Sequence, residues 1–231
     1  MKALIGLALA LSEAAQGTFD QPSEVVLGTA QTLEQGELMI GVFSPVAYGI
    51  NDDLTLFIHP ISLALLTPNG AFRWRLYDDD RVRVAAAFGG AATLPISGVV
   101  DDDPRRPLGH ADIALVTTAT AGNWLFTARA GYQRDFDPDE DDFDWSGIID
   151  WVVGPSSLIQ LQGGAQVGRV SGLHAPSAML TYVHAWGQVH LAAGIAYGEY
   201  PLSLESRALP KCSQSWSYPC LWPVLDIFWR F

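Results

Sequence analysis

Two histidines, His184 and His190, flank Trp186–Gly187 in a stretch where polar and apolar residues alternate. If that dipeptide is a turn and Ala185 opposes Val189, the two imidazoles stand across from one another, because opposed residues of an antiparallel pair share a face. So placed, with Tyr182 beside them, they can share a proton or bind a metal. No third ligand is set by the spacing, Asp226 being the nearest, so a hydrogen-bonded pair without chemistry is the favoured reading. A second concentration of ligating groups runs from Asp135 to Asp144. Asp137, Asp139 and Asp141 have the alternate spacing of a calcium loop, yet Asp142 stands where the turn glycine belongs and Ile148 where a bidentate Glu should be. An EF-hand is therefore rejected, and the stretch reads as a solvated acidic loop, with loosely held divalent cations as the alternative. No Gly-x-Ser-x-Gly elbow, phosphate loop or HExxH helix is present. The reading is against an enzyme, and no cofactor is expected.

The elements that carry these groups alternate with period two, and no long amphipathic helix competes. Candidate strands are Glu37–Phe43, Leu54–His59, Ala71–Tyr77, Arg81–Gly89, Ala111–Ala119, Trp124–Arg134, Gly147–Val153, Leu158–Val170, Ser177–Ala185, Gln188–Tyr200 and Leu221–Phe231, with Glu24–Gln31 as a possible twelfth. Ser44–Asp53 and Ile61–Gly70 are broken by Pro45, Pro60 and Pro68 and suit a short helix or plug-like insertion. Tight connections at Asp78–Asp80, Ala121–Asn123, Gly154–Ser156 and Trp186–Gly187 alternate with long ones at Ser97–His110, Asp135–Asp144 and Pro201–Cys220. Short turns on one rim and long loops on the other are the pattern of a transmembrane barrel.

Register tests the idea. Pairing Tyr77 with Arg81 sets Phe72, Trp74 and Leu76 against Ala86, Val84 and Val82, and leaves Arg73, Arg75, Arg81 and Arg83 on the other face with Arg75 and Arg83 directly opposed. Such a ladder would line a lumen and attract anions, or be neutralised by acids such as Asp150 or Asp226. Pairing Val153 with Ser157 sets Trp151 against Ile159 and Ile149 against Leu161, with Asp150 meeting Gln160 and Ile148 meeting Gln162. At Ala121–Asn123 the parity of Ile113 and Leu115 conflicts with that of Trp124 and Phe126, which calls for a bulge or a misplaced strand.

Composition narrows the class. With 13 basic against 25 acidic residues and a net charge of -12, no basic field exists to hold nucleic acid. Lys2, the apolar run Ala3–Leu11 and the small residues near Ala14–Ala15 read as a secretory signal over residues 1–15. In an oxidising compartment, Cys212 and Cys220 would then form a disulfide.

The last strand alternates Leu225, Ile227, Trp229 and Phe231 and stops at the aromatic. It resembles the C-terminal assembly signal of Gram-negative outer-membrane β-barrel proteins, with Pro223 as a departure. The resemblance implies an outer-membrane address, recognition by the barrel-assembly machinery, a periplasmic C-terminus and long loops outside, facing lipid and lipopolysaccharide. Trp124, Trp151, Trp222, Trp229 and Tyr197 near strand ends suit interfacial girdles. The expected architecture is all-β, an up-and-down antiparallel transmembrane barrel of ten or twelve strands over residues 37–231, preceded by residues 16–36 as an N-terminal segment or first strand. Its lumen would be lined by Arg73, Arg75, Arg81, Arg83, Asp150, Gln160, Gln162, His184, His190 and Asp226. The expected role is a narrow small-solute channel or transporter-like barrel, or alternatively a structural or surface-interaction barrel acting through acidic loops.

Overall fold

The computed structural model describes residue 19 and residues 24–64, 67–92, 109–136, 140–168, 172–198 and 221–231. Its strands are β1 (Leu38–Gly41), β2 (Val46–Asn51), β3 (Leu54–Ile58), β4 (Asn69–Asp78), β5 (Val82–Ala92), β6 (Gly109–Ala121), β7 (Trp124–Phe136), β8 (Glu140–Gly154), β9 (Ser157–Gly168), β10 (Gly172–Trp186), β11 (Val189–Gly198) and β12 (Leu221–Arg230). Each pairs antiparallel with its sequence neighbours, and β1 closes on β12 to give an up-and-down barrel of twelve strands. Closure leaves no sheet edge with unpaired backbone. A one-turn helix, α1 (Pro60–Ala64), begins at Pro60, where the missing N–H costs nothing.

Connections 52–53, 79–81, 122–123, 155–156 and 187–188 lie at one end, the turn end, together with the chain terminus. There Leu38 and Phe231 exchange backbone hydrogen bonds at 2.9 and 2.8 Å. Connections from the other end include the long 93–108 and 199–220 expected from the sequence, but the expected long loop Asp135–Asp144 shrinks to 137–139 because the strands extend through most of it.

Twelve strands are reached by a different route from the one expected. Residues 46–51, flanked by Pro45 and thought too broken to pair, form β2, because Pro45 sits just outside the ladder. Residues 24–31 form no strand and lie inside the barrel. The wall is low where the chain begins: β1, β2 and β3 have 4, 6 and 5 residues, against 13 in β6 and β7 and 15 in β8. At the top of β1 the carboxylate of Asp226 accepts the backbone N–H groups of Phe43 and Ser44 at 2.9 and 2.8 Å and ties the short connection to β12.

Between β8 and β9 the expected register is found up to Val152, with Trp151 against Ile159, Ile149 against Leu161 and Asp150 against Gln160, while at the turn Ser157 pairs with Gly154 instead of Val153. Elsewhere a single turn residue changes the outcome. Between β6 and β7 the turn is 122–123, not 121–123, so Ala121 opposes Trp124 and the ladder continues without a bulge. Gly122 takes a φ of 59° there, a conformation open to glycine without a Cβ penalty. This turn puts Ile113 and Leu115 outside with Trp124 and Phe126, removing the parity conflict. Between β10 and β11, Trp186 opposes Val189. That is one residue from the expected pairing, and a one-residue slip sends a strand's side chains to the opposite faces. Between β4 and β5 the pairing up to Arg75 lies two residues from the expected one, which keeps the faces but changes the partners, and a bulge between Arg75 and Tyr77 shifts it by one more, so that Tyr77 faces outward and Asp78 opposes Arg83.

Alternation gives the barrel two distinct surfaces. Outward positions on β7, β8 and β12 hold Trp124, Phe126, Phe143, Trp145, Ile149, Trp151, Leu225 and Ile227, all exposed. Inward positions hold Thr127, Arg129, Gln133, Asp142, Asp150 and Asp226, all buried.

Candidate functional site

The interior is where polar and apolar groups converge, and its main occupant is the protein's own N-terminal segment. Near the turn end the backbone N–H of Phe19 donates to the Pro155 carbonyl at 2.5 Å. The segment from Glu24 then runs inside the wall and returns to the turn end, where Gln35 N–H meets the Asp52 carboxylate at 2.9 Å. Val25, Val26, Ala30 and Leu33 are buried along the way.

A segment without strand partners must satisfy its backbone otherwise, and wall side chains do so. Arg73 on β4 donates through Nη1 to the carbonyls of Val26 and Gln31 at 2.8 and 2.9 Å, with its guanidinium 4.6 Å from the centre of the Phe57 ring. Thr118 Oγ1 accepts from Ala30 N–H and Thr55 Oγ1 from Leu33 N–H, both at 2.8 Å. Arg230 donates to the Glu24 carbonyl at 2.7 Å and is ion-paired with Glu37. Where the segment meets β2, Gly36 N–H donates to Gly49 O at 2.8 Å and Gly49 N–H to Glu37 O at 2.9 Å. A Cβ on Gly49 would come within 1.9 Å of the Glu34 carbonyl oxygen, so only glycine allows this approach.

Between this plug and the wall of β9–β12 lies a cavity of about 150 Å³. Val26, Met39, Phe57, Met179, Val183 and Phe228 form its apolar walls, Gln160, Gln162 and Thr181 a polar corner, and Glu24, Arg73, Asp226 and Arg230, all engaged elsewhere in the barrel, also line it. His190 stacks on Phe228 at 4.6 Å and meets the edge of Phe19 at 5.6 Å.

The arginines expected as a lumen ladder are dispersed. Arg73 is buried against the plug. Arg75 and Arg83 are not opposed: the β4 bulge sets Arg83 against Asp78, and the Asp78 carboxylate bridges Arg75 at 2.9 Å and Arg83 at 2.5 Å, with Asp53 2.7 Å from Arg75. Arg81 is an exposed turn residue whose N–H donates to Asp79, outside any lumen. The positive charges of Arg75 and Arg83 are thus answered by acids of the turn end, not by Asp150 or Asp226.

The two histidines are separated by the wall. His190 faces inward, whereas His184 faces outward, its Nδ1 3.0 Å from Ser157 Oγ and 3.2 Å from Tyr182 Oη, its ring 4.4 Å from Trp186. The shared-metal and shared-proton arrangements are thereby removed, and Asp226 serves β1. Asp150 accepts from Gln160 at 2.8 Å inside the barrel, and Gln162 is buried beside the cavity.

The acidic stretch is also different from the expected loop. Strands extend into it from both sides, so Asp135 belongs to β7, and Asp141, Asp142 and Asp144 to β8. Asp141 faces outward and accepts from Tyr132 Oη at 2.6 Å and Arg134 at 2.5 Å. Asp137, Asp139, Cys212 and Cys220 lie outside the described residues, as does the 1–15 signal. Among the described residues no cluster of three or more His, Cys, Asp or Glu side chains is placed to hold a metal.

Sequence reasoning missed the lumen network around Arg129. Its guanidinium lies 3.8 Å from Asp112 and 3.6 Å from Asp144, and His110 Nε2 is 3.9 Å from Asp112. The signal was available in the Gly122–Asn123 dipeptide, which as a two-residue turn fixes the parity of β6 and β7. The plug carried no comparable signal. Comparison with known proteins adds no relative: no family model matches the chain, and no curated protein matches it.

Proposed function

We propose that the chain is an outer-membrane barrel that admits small solutes to a lumen gated by its own N-terminal segment. The observation that carries the membrane reading is the outer surface. Across β4–β9, β11 and β12 its outward positions are apolar or neutral, except for the Arg134–Asp141 ion pair near the loop-end rim. Stacked Trp124 and Trp151, with ring centres 5.3 Å apart, mark the turn-end rim, and Tyr132 and Phe143, 5.4 Å apart, the other. From Trp151 to Phe143 the strand rises about 27 Å at ~3.4 Å per residue, or about 20 Å along an axis from which strands tilt ~40°. That approaches the ~25 Å apolar band of outer-membrane barrels. Leu225 and Ile227 are exposed on this same surface, which supports reading the Leu225–Phe231 alternation as an assembly signal.

The gating reading rests on how the plug is held. Among the described residues it is anchored by side chains and by isolated backbone hydrogen bonds at Pro155 and Gly49, so a long cooperative ladder need not break for it to shift. Planar-bilayer recordings test this on the whole protein. Wild type is expected to be closed with brief openings, and Arg73→Met, which leaves the Val26 and Gln31 carbonyls without that donor, to be open more often. Silence of both, with heat-modifiable gel migration confirming folded barrels, would replace the channel with a structural barrel.

A further inference from the structure

We infer that the cavity between plug and wall is a binding site for a single-ring aromatic molecule bearing one hydrogen-bonding group. This rests on the lumen being a solute path and names the class of solute. Size is the first argument: a mostly apolar cavity of about 150 Å³ holds one benzene-sized molecule. Wall chemistry is the second. Phe57, Phe228 and the stacked His190 present aromatic surfaces, and Met39 and Met179 supply polarizable sulfur, which makes favourable contact with ring edges.

The third argument selects for a polar substituent. Thr181 is 4% exposed and lines the cavity, and its hydroxyl has no hydrogen-bond partner among the described residues. A buried hydroxyl without a partner is costly, and its neighbour across the ladder, Gln160, is engaged by Asp150. A ligand hydroxyl reaching Thr181 would satisfy it while the ring fills the apolar part. Wholly apolar rings would fit the space and leave Thr181 unsatisfied, so hydroxyl-bearing rings are preferred.

Fluorine NMR of para-fluorophenol and para-fluorotoluene, added to the folded full-length protein in micelles, tests the assignment. Saturable binding of para-fluorophenol is expected, about tenfold weaker in Thr181→Val, a loss of ~1.4 kcal/mol. Binding of para-fluorotoluene should be indifferent to that change. Ala192→Phe, which fills the cavity, should abolish both, with Val224→Phe taking its place if that variant lacks heat-modifiable migration. Absence of saturable binding to wild type, or undiminished binding to a folded cavity-filled variant, overturns the site. Because binding is read without conductance, a wild-type protein that binds no phenol while Arg73→Met opens the channel would defeat this inference and leave the gated path standing.

Discussion

Arg73 on β4 donates to the backbone carbonyl of Val26 at 2.8 Å, across 47 positions of sequence. One wall side chain thereby supplies hydrogen bonding that a sheet neighbour would otherwise give to the plug. Charged-group hydrogen bonds contribute about 1.5–3 kcal/mol each, enough to hold the segment and little enough to release it.

Plug and wall approach each other closely at Gly49. Gly49→Ala would force its new methyl group into the Glu34 carbonyl, backbone against backbone. The segment must back away, at a cost of about 1–3 kcal/mol. Limited proteolysis is expected to cut the N-terminal segment faster in the variant than in wild type, while the strands stay protected. Equal cleavage rates would show that this approach does not seat the plug.

The register of β4 and β5 makes neighbouring arginines unequal. Arg83 contacts Asp78 at 2.5 Å, so Arg83→Glu places like charges together, whereas Arg81 is exposed in the turn. Loss of about 1 kcal/mol is expected for Arg83→Glu, and less than ~0.5 kcal/mol for Arg81→Glu. Urea midpoints in micelles separate the two. Were Arg83→Glu as stable as wild type, Arg75 rather than Asp78 would have to be its partner.

Arg129 stands between Asp112 and Asp144 and is buried. Arg129→Met leaves two carboxylates facing each other without the cation, a change expected to destabilise by about 3–5 kcal/mol. Arg129→Lys keeps the charge and should recover part of the loss, which unfolding in urea would measure. A neutral Arg129→Met would mean that the carboxylates are served by other groups.

Acid should weaken the 79–81 turn. The hydroxyl of Tyr77 and the backbone N–H groups of Arg81 and Val82 all donate to the Asp79 carboxylate, at 2.7 Å each, and together hold its pKa below the usual value. A depressed carboxyl pKa contributes stability that is full above the unfolded pKa and is lost as pH falls through the folded one. The difference in urea midpoint between wild type and Asp79→Ala should therefore be present at neutral pH and shrink in strong acid. A difference that stays constant with pH would assign the turn's stability to its backbone alone.

Strand existence and much of the facing were legible because period two is a local property. Trp151 and Ile149 against Ile159 and Leu161 follow from a hairpin closed by a turn that the residues themselves mark. His184 and His190 illustrate the limit: moving the pairing by one residue at 187–188 is a small change in sequence terms, yet it puts one imidazole outside and the other inside. Turn length at that precision depends on which register best buries both strands against their other neighbours, β9 and β12.

By itself the sequence determined an alternating all-β chain, the places of its tight turns to within about a residue and an aromatic C-terminal strand, since these depend on neighbours a few positions apart. Tertiary structure alone decided what fills the lumen. Ala30 meets Thr118, Leu33 meets Thr55 and Val26 meets Arg73 only after the sheet has closed. Hydrogen bonds to a segment with no periodic pattern leave no mark on its residues. Closure also gathered Met39, Phe57, Thr181 and Phe228 from four strands around one cavity, because a barrel makes neighbours of its first and last strands.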